Sequence, residues 1–273
     1  MLCPTSVEPI GPIQKGINMN KELLNRVASL GILFWVVKIV STTVGETAAD
    51  YVSVNLNLGL SYTMVLMGVI TLLVVIWNFR QKRYFPPSYW SLIVMMSIEG
   101  TLITDLLVES TGVSLLVLDV VFALAMVLVF VLWHRKEHSL SIHEINNDSR
   151  EKFYWIIVLT TFALGTGVGD TVSEFLSVGY LYSLIIFGAI FILAGVLYYF
   201  KTISSVLAFW IAFIVTRPIG ASLGDLLIQD PKDGGLGIST AVVNVVFFVV
   251  IIASVAYLTV RQSQEGSTEL AGS

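Results

Sequence analysis

The chain has 273 residues, of which 56% are hydrophobic and only 12% are charged, with a formal net charge of −4. Soluble domains carry about 25% charged residues, so this composition excludes an ordinary soluble globular protein and indicates a polytopic membrane protein. The single cysteine, Cys3, excludes a disulfide framework and a cysteine-based metal site.

The chain begins with a polar segment at 1–27 that lacks the apolar core of a cleavable signal peptide, and Met19 is a candidate start. Eight later stretches have the roughly 20 mostly apolar residues that a transmembrane helix needs. They are 28–50, 60–78, 88–108, 114–133, 153–173, 181–200, 203–225 and 239–260. We therefore predict an all-α polytopic membrane protein with a first half at 28–133, a linker at 134–152, a second half at 153–260 and a tail at 261–273.

The basic residues lie almost entirely on one side of these predicted helices. The side of both termini carries Lys15, Lys21, Arg26, Arg80, Lys82, Arg83, Arg135, Lys136, Arg150, Lys152, Lys201 and Arg261. The opposite side carries only Lys232. Because lysine and arginine are enriched in cytoplasmic loops, we predict that both termini and the linker are cytoplasmic.

An internal repeat organises the eight helices. Four times, a tryptophan is followed ten residues later by a glycine and five residues after that by an aspartate. The copies are Trp35–Gly45–Asp50, Trp90–Gly100–Asp105, Trp155–Gly165–Asp170 and Trp210–Gly220–Asp225. Repeats at a fixed period indicate one structural unit per copy, here two helices each.

The second helices divide the four repeats into two pairs. Gly59, Tyr62 and Gly68 of the first repeat recur in the third as Gly179, Tyr182 and Gly188. The second and fourth repeats likewise share a Gly-x-Ser motif at Gly112 and Gly237. We predict a tandem 2+2 arrangement with a pseudo-two-fold axis along the membrane normal.

The segments around the signatures, TTVGETAADY, GTLITD, GTGVGDT and TRPIGASLGD, resemble a family of bacterial inner-membrane proteins built of four copies of a short repeat. The resemblance covers nearly all of the chain between Leu30 and Val260. It implies the repeat count, the topology and a location in the bacterial inner membrane. It implies no activity, because the repeats of that family have no assigned function.

Acids greatly outnumber bases within the predicted helices. Nine lie in or near them: Glu46, Asp50, Glu99, Asp105, Glu109, Asp119, Asp170, Glu174 and Asp225. Only Lys38 and Arg217 oppose them, and we interpret both as internal counter-ions. An ionisable group in the bilayer costs roughly 2.5–3.5 kcal/mol, so the other acids must be protonated, lie at the interface or bind a cation.

The depth of these acids predicts an acidic vestibule that opens to the exterior. The four repeated aspartates would form its ring, and it would narrow toward Glu46 and Glu99. We predict ion binding by all of the acids except Glu109, with Glu46, Asp105 and Asp170 as metal ligands. The alternative is that the acids cap helices or bind neighbouring backbone and hydroxyl groups.

The repeated glycines have two interpretations, and the repeated tryptophans have one. The glycines Gly45, Gly100, Gly165 and Gly220 predict either close helix packing or local unwinding beside a cavity. The repeated tryptophans near the cytoplasmic helix ends are typical of anchors at the membrane interface.

These residues favour a transporter over an enzyme. The predicted helices offer carboxylates and hydroxyls but no histidine or cysteine, which suits protons, sodium, magnesium, calcium and manganese. We predict a proton-coupled carrier for a small cation, manganese or magnesium ahead of sodium, with the bilayer as partner and neither nucleic acid nor a cofactor. The alternatives are a non-transporting sensor or assembly protein, and an intramembrane aspartyl protease that uses Asp170 and Asp225.

Overall fold

Eight long helices build the computed structural model, which describes residues 25–271 and the side chains of residues 25–264. They are α1 (Ile32–Asp50), α2 (Leu60–Arg80), α3 (Pro86–Thr111), α4 (Leu115–Glu137), α5 (Asp148–Asp170), α6 (Tyr180–Tyr199), α7 (Ser205–Ile228) and α8 (Thr240–Ala271). All eight are long and apolar enough to cross a membrane, so the prediction of an eight-helix, multi-pass membrane protein is confirmed. Met19 and most of the predicted tail at 1–27 lie outside the described residues.

The helices extend further into the central linker than predicted. The α4 helix continues to Glu137 and α5 begins at Asp148, leaving a short connection with one 3₁₀ turn. The side chain of Asn147 caps α5 by accepting a hydrogen bond from the backbone N–H of Arg150 at 2.9 Å. Basic residues in the last turn of α4 and acids in the first turn of α5 also suit the helix dipoles.

The first helices of the repeats form an inner ring. The α1, α3, α5 and α7 helices are mostly buried, and each packs against the next, with α7 closing the ring on α1. We call the end at which they begin, near Arg26 and Arg80, the basic end. The end at which they finish, near Asp50 and Asp105, is the acidic end.

The second helices surround this ring and expose most of their surface. Each packs mainly on the inner helix of the following repeat: α2 on α3, α4 on α5, α6 on α7, and α8 on α1. The two helices of one repeat, although adjacent in sequence, are therefore not the packing unit. Every repeat instead covers its successor, and α8 completes the circle.

The ends of the inner helices confirm the pairing of the repeats. Both α1 and α5 continue into a five-residue π-helical turn, at Tyr51–Asn55 and Thr171–Phe175. Each turn leads to a glycine at positive φ, 73° for Gly59 and 85° for Gly179. Repeats two and four instead share left-handed glycines, Gly112 and Gly237, both with φ of 65°.

The signature glycines lie at the crossings of neighbouring inner helices. Each faces the residue that comes seven positions after the tryptophan of the next repeat. The four contacts are Gly45 on Ser97, Gly100 on Phe162, Gly165 on Arg217 and Gly220 on Thr42. A Cβ at any of them would lie within 2.7 Å of that neighbour. All four glycines lie inside continuous helices, so they act by close packing rather than by unwinding.

The prediction that all four signature tryptophans anchor the protein at the membrane interface is not confirmed. Trp90, Trp155 and Trp210 are buried in an aromatic core at the basic end. Trp210 Nε1 donates a hydrogen bond to the Leu140 carbonyl of the linker at 3.0 Å. Their indole rings therefore pack the inner bundle, and the prediction of interfacial anchoring is wrong for these three residues.

We expect Gly100→Ala to lower the free energy of unfolding by about 1–3 kcal/mol, as overpacking does in a filled core. The added Cβ would lie 2.7 Å from Phe162 Cβ and 2.8 Å from its backbone carbon. Gly188→Ala is the matched control, because a Cβ there meets no neighbouring helix within 4 Å. Thermal unfolding in detergent compares the two variants, and equal melting temperatures would contradict close packing at Gly100.

Candidate ion-binding site

Arg217 lies fully buried on the axis of the inner ring. Its Nη2 atom donates to Glu46 Oε2 at 2.7 Å and to the Thr166 hydroxyl at 2.6 Å, and also to the Thr101 hydroxyl. Its Nη1 atom donates to the Thr42 carbonyl at 2.9 Å. These partners come from α1, α3 and α5, so one side chain on α7 joins all four inner helices. A guanidinium suits this position because it presents five donors in a fixed plane.

The repeat register orders these groups into levels along the axis. Glu46, Thr101 and Thr166 each lie eleven residues after the tryptophan of their repeat, and the aspartates lie fifteen after it. At a rise of about 1.5 Å per residue, the aspartates stand roughly 6 Å closer to the acidic end. The four aspartates therefore form a level one helical turn beyond Glu46, Thr101 and Thr166, the side-chain partners of the arginine.

The repeated aspartates converge with two glutamates into one group. Each of the four interacts electrostatically with both Glu46 and Glu174. We call these six carboxylates the acidic cluster: Glu46, Asp50, Asp105, Asp170, Glu174 and Asp225. Arg217 interacts with Asp105 as well as with Glu46, and it contributes a single positive charge.

The acidic cluster is accessible from the acidic end. Glu174 is exposed, and Asp50, Asp105 and Asp170 each keep part of their surface accessible. Only Glu46 and Asp225 are buried. Among the hydrogen bonds of the described residues, none ends on the carboxylates of Asp50, Asp105 or Asp170, so these three have neither the capping nor the hydroxyl contacts of the structural alternative.

Two predicted site residues lie outside the acidic cluster. Glu99 faces α2, where it accepts a hydrogen bond from the Thr71 hydroxyl at 3.4 Å. Asp119 on α4 accepts one from the Thr171 hydroxyl at 2.6 Å. Both acids therefore lie between an outer and an inner helix, and the vestibule does not narrow toward Glu99.

Lys38 differs from Arg217 although both are fully buried. Its Nζ atom lies 3.7 Å from the ring centroid of Phe213 and 4.5 Å from that of Phe162. Within the described residues this ammonium forms neither a hydrogen bond nor an ion pair. Cation–π contacts hold it. The interpretation of Lys38 as the counter-ion of a carboxylate is therefore wrong.

The predicted metal ligands Glu46, Asp105 and Asp170 interact electrostatically with one another. Across the described part of the chain, no three histidine, cysteine, aspartate or glutamate side chains are placed to hold one metal ion together. Direct coordination by this trio stays a prediction. An ion at this level would complete its shell with water, as Mg²⁺ commonly does.

Sequence reasoning predicted a ring of the four aspartates but missed the partners of Arg217. The signal was available, because Thr101 and Thr166 occupy the repeat position of Glu46. It becomes informative only once the rotation of each helix about its own axis is known.

Comparison with known proteins supports the repeat count but gives no information on activity. A family model described as Repeat of Unknown Function (DUF347) matches the chain four times, at residues 33–84, 88–139, 153–204 and 208–264. No curated protein and no solved structure shows significant similarity to the chain.

We expect Arg217→Met to destabilise the bundle by about 3–5 kcal/mol, because it leaves Glu46 buried without its partner. Adding Glu46→Gln should recover part of this loss. Lys38→Met is the matched control, since it removes a buried cation that has no ion pair and should leave the melting temperature unchanged or raised. Thermal unfolding in detergent measures all four proteins. An equal loss in Lys38→Met and Arg217→Met would contradict the assignment of Arg217 as the central ion pair.

Proposed function

The chain belongs to the Repeat of Unknown Function (DUF347) family, and from the geometry of its own residues we propose that it is a membrane carrier for a small cation. The observation that supports this most is the acidic cluster. Six carboxylates from the inner helices and the turn after α5 converge near the acidic end, opposite a single arginine, and four of them are at least partly accessible. Such a group is stable only if it shares protons or holds a cation.

The chemistry of the acidic cluster favours a divalent ion. Carboxylate and hydroxyl oxygens are the ligands that magnesium, calcium and manganese prefer. Thr101 and Thr166 add hydroxyls one turn below the aspartates. We propose manganese or magnesium ahead of sodium, bound by the aspartates with part of its water shell and exchanged for protons.

Arg217 would separate the acidic cluster from the basic end. Beyond it lie the buried ammonium of Lys38, which repels a cation, and the aromatic core, including Phe213 and Trp210. Passage of an ion therefore requires Arg217 to leave Glu46, and an ion or proton that neutralises Glu46 weakens that pair. Ion binding and opening would be coupled in this way.

The distribution of basic residues supports the orientation. The basic end would face the cytoplasm of a bacterium and the acidic end the exterior of its inner membrane, because lysines and arginines concentrate on the cytoplasmic side. Both termini would then be cytoplasmic, and ions would enter the acidic cluster from outside.

The second candidate is a non-transporting sensor or assembly protein. It is favoured by the bonds of Glu99 and Asp119 between helices, and by the way Arg217 joins the inner ring. In that case the acids of the cluster would hold helices together and carry no ion. An aspartyl protease would need two dedicated carboxylates, whereas here Asp170 and Asp225 belong to a group of six.

Ion flux into sealed proteoliposomes tests the proposal, with Mn²⁺, Mg²⁺, Ca²⁺ and Na⁺ offered in turn and a pH-sensitive dye inside. We expect uptake of one ion together with proton movement. Asp105→Asn and Asp170→Asn should each reduce the flux at least about tenfold, which corresponds to about 1.4 kcal/mol.

Glu99→Gln is the matched control, since it removes an acid from the same helix as Asp105 but outside the acidic cluster. It should retain the flux. Absence of flux with every ion, while the aspartate variants change only the melting temperature, would overturn the carrier and leave the second candidate.

A further inference from the structure

An apolar cavity of about 500 Å³ lies at the basic end, apart from the acidic cluster. It is formed by the start of α1, the end of α6, the start of α7 and the central linker. Trp35, Phe191 and Phe209 supply aromatic surface, and Ser141 and His143 are among its few polar lining residues. This volume and composition match those of small-molecule sites, which span about 300–1,000 Å³.

The cavity opens on the outer surface of the bundle. Two of its lining residues, Ile32 and Tyr198, are 86% and 53% exposed, and α6 is one of the outer helices. In a chain that spans the membrane, this surface faces the lipid. The interior of the cavity is therefore within reach of the hydrocarbon chains that surround the protein.

Comparison of the cavity with its symmetry-equivalent place in the bundle explains why the space is open. Corresponding residues of the two halves are 120 positions apart, as are Trp35 and Trp155. Small residues that line the cavity are replaced by larger ones at the equivalent positions. Ala194 corresponds to Val74, Gly195 to Val75 and Ala212 to Leu92.

Polar contacts also occupy the equivalent place in the other half. There, Asn78 Nδ2 donates a hydrogen bond to Glu151 Oε1 at 3.0 Å, and the Ser88 hydroxyl donates to Asn78 Oδ1 at 3.2 Å. At the cavity these three positions are Tyr198, Gly31 and Ala208, which form no such network. The cavity thus lacks both the side-chain volume and the polar contacts that fill the equivalent place.

We propose that this cavity binds one acyl chain of a membrane phospholipid. The apolar walls bury the hydrocarbon, and each buried CH₂ contributes about 0.8 kcal/mol. The polar end of the lipid lies at the level of Ser141 and His143, where the helices meet the linker. Carboxylates do not line the cavity, so this site is separate from cation binding and does not depend on the proposed carrier function.

Native mass spectrometry of the full chain, extracted in mild detergent and then exchanged extensively into a delipidating one, tests the proposal. We expect the wild type to retain one phospholipid per chain. Gly195→Val and Ala212→Leu introduce the side chains found at the equivalent positions, Val75 and Leu92. Both variants should lose the bound phospholipid. The Cβ added by Gly195→Val meets no neighbouring helix within 4 Å. Ala189→Val, at an exposed α6 position outside the cavity, is the matched control and should keep the lipid.

Quenching of Trp35 fluorescence by phospholipids with brominated acyl chains provides a second measurement, and both filled variants should lose this quenching relative to Ala189→Val. A wild type without retained phospholipid, or a retained molecule of another class, would overturn the proposal. Equal lipid retention in the filled variants and in Ala189→Val would overturn it as well.

Discussion

Arg217 holds its charge inside the bundle because every other inner helix supplies it with an oxygen acceptor. A guanidinium in the hydrocarbon region is costly, and here Glu46, two hydroxyls and backbone carbonyls of α1 and α5 offset that cost. The bonds require each inner helix to present one particular face to the axis. Because the aspartates lie one turn further along the same helices, this rotation also directs them toward one another.

The inner bundle is symmetric at the level of the four aspartates and asymmetric at the level of Arg217. Four arginines at the level of Arg217 would repel one another, and the repeated position holds four different residues, Thr42, Ser97, Phe162 and Arg217. The aspartates remain identical in all four copies, although like charges at close range are equally unfavourable. The proposed cation site would account for that identity, because a shared proton or cation offsets the repulsion between the carboxylates. The outer helices have diverged as well, with Asp119 of α4 replaced in α8 by Asn244, which binds Thr47 of α1.

The sequence predicted those features that depend on distance along the chain. Helix number follows from length and apolarity, and the ring of four aspartates follows from their fixed separation from the tryptophans. The features that depend on helix rotation were not predictable. Glu99 points outward to α2, and Lys38 lies between aromatic rings. Trp90 packs inward against neighbouring aromatic rings instead of lying at the membrane interface. The π-helical turns after α1 and α5 carry no clear signal in composition, although both lie in the repeats that the shared glycines had paired.

Electron paramagnetic resonance of Mn²⁺ added to the purified protein tests most directly whether the acidic cluster is a cation site. The account predicts one saturable Mn²⁺ per chain, released by acid, lost in Asp105→Asn and Asp170→Asn and retained in Glu99→Gln. Absence of saturable binding, or binding that the aspartate substitutions leave unchanged, would contradict it.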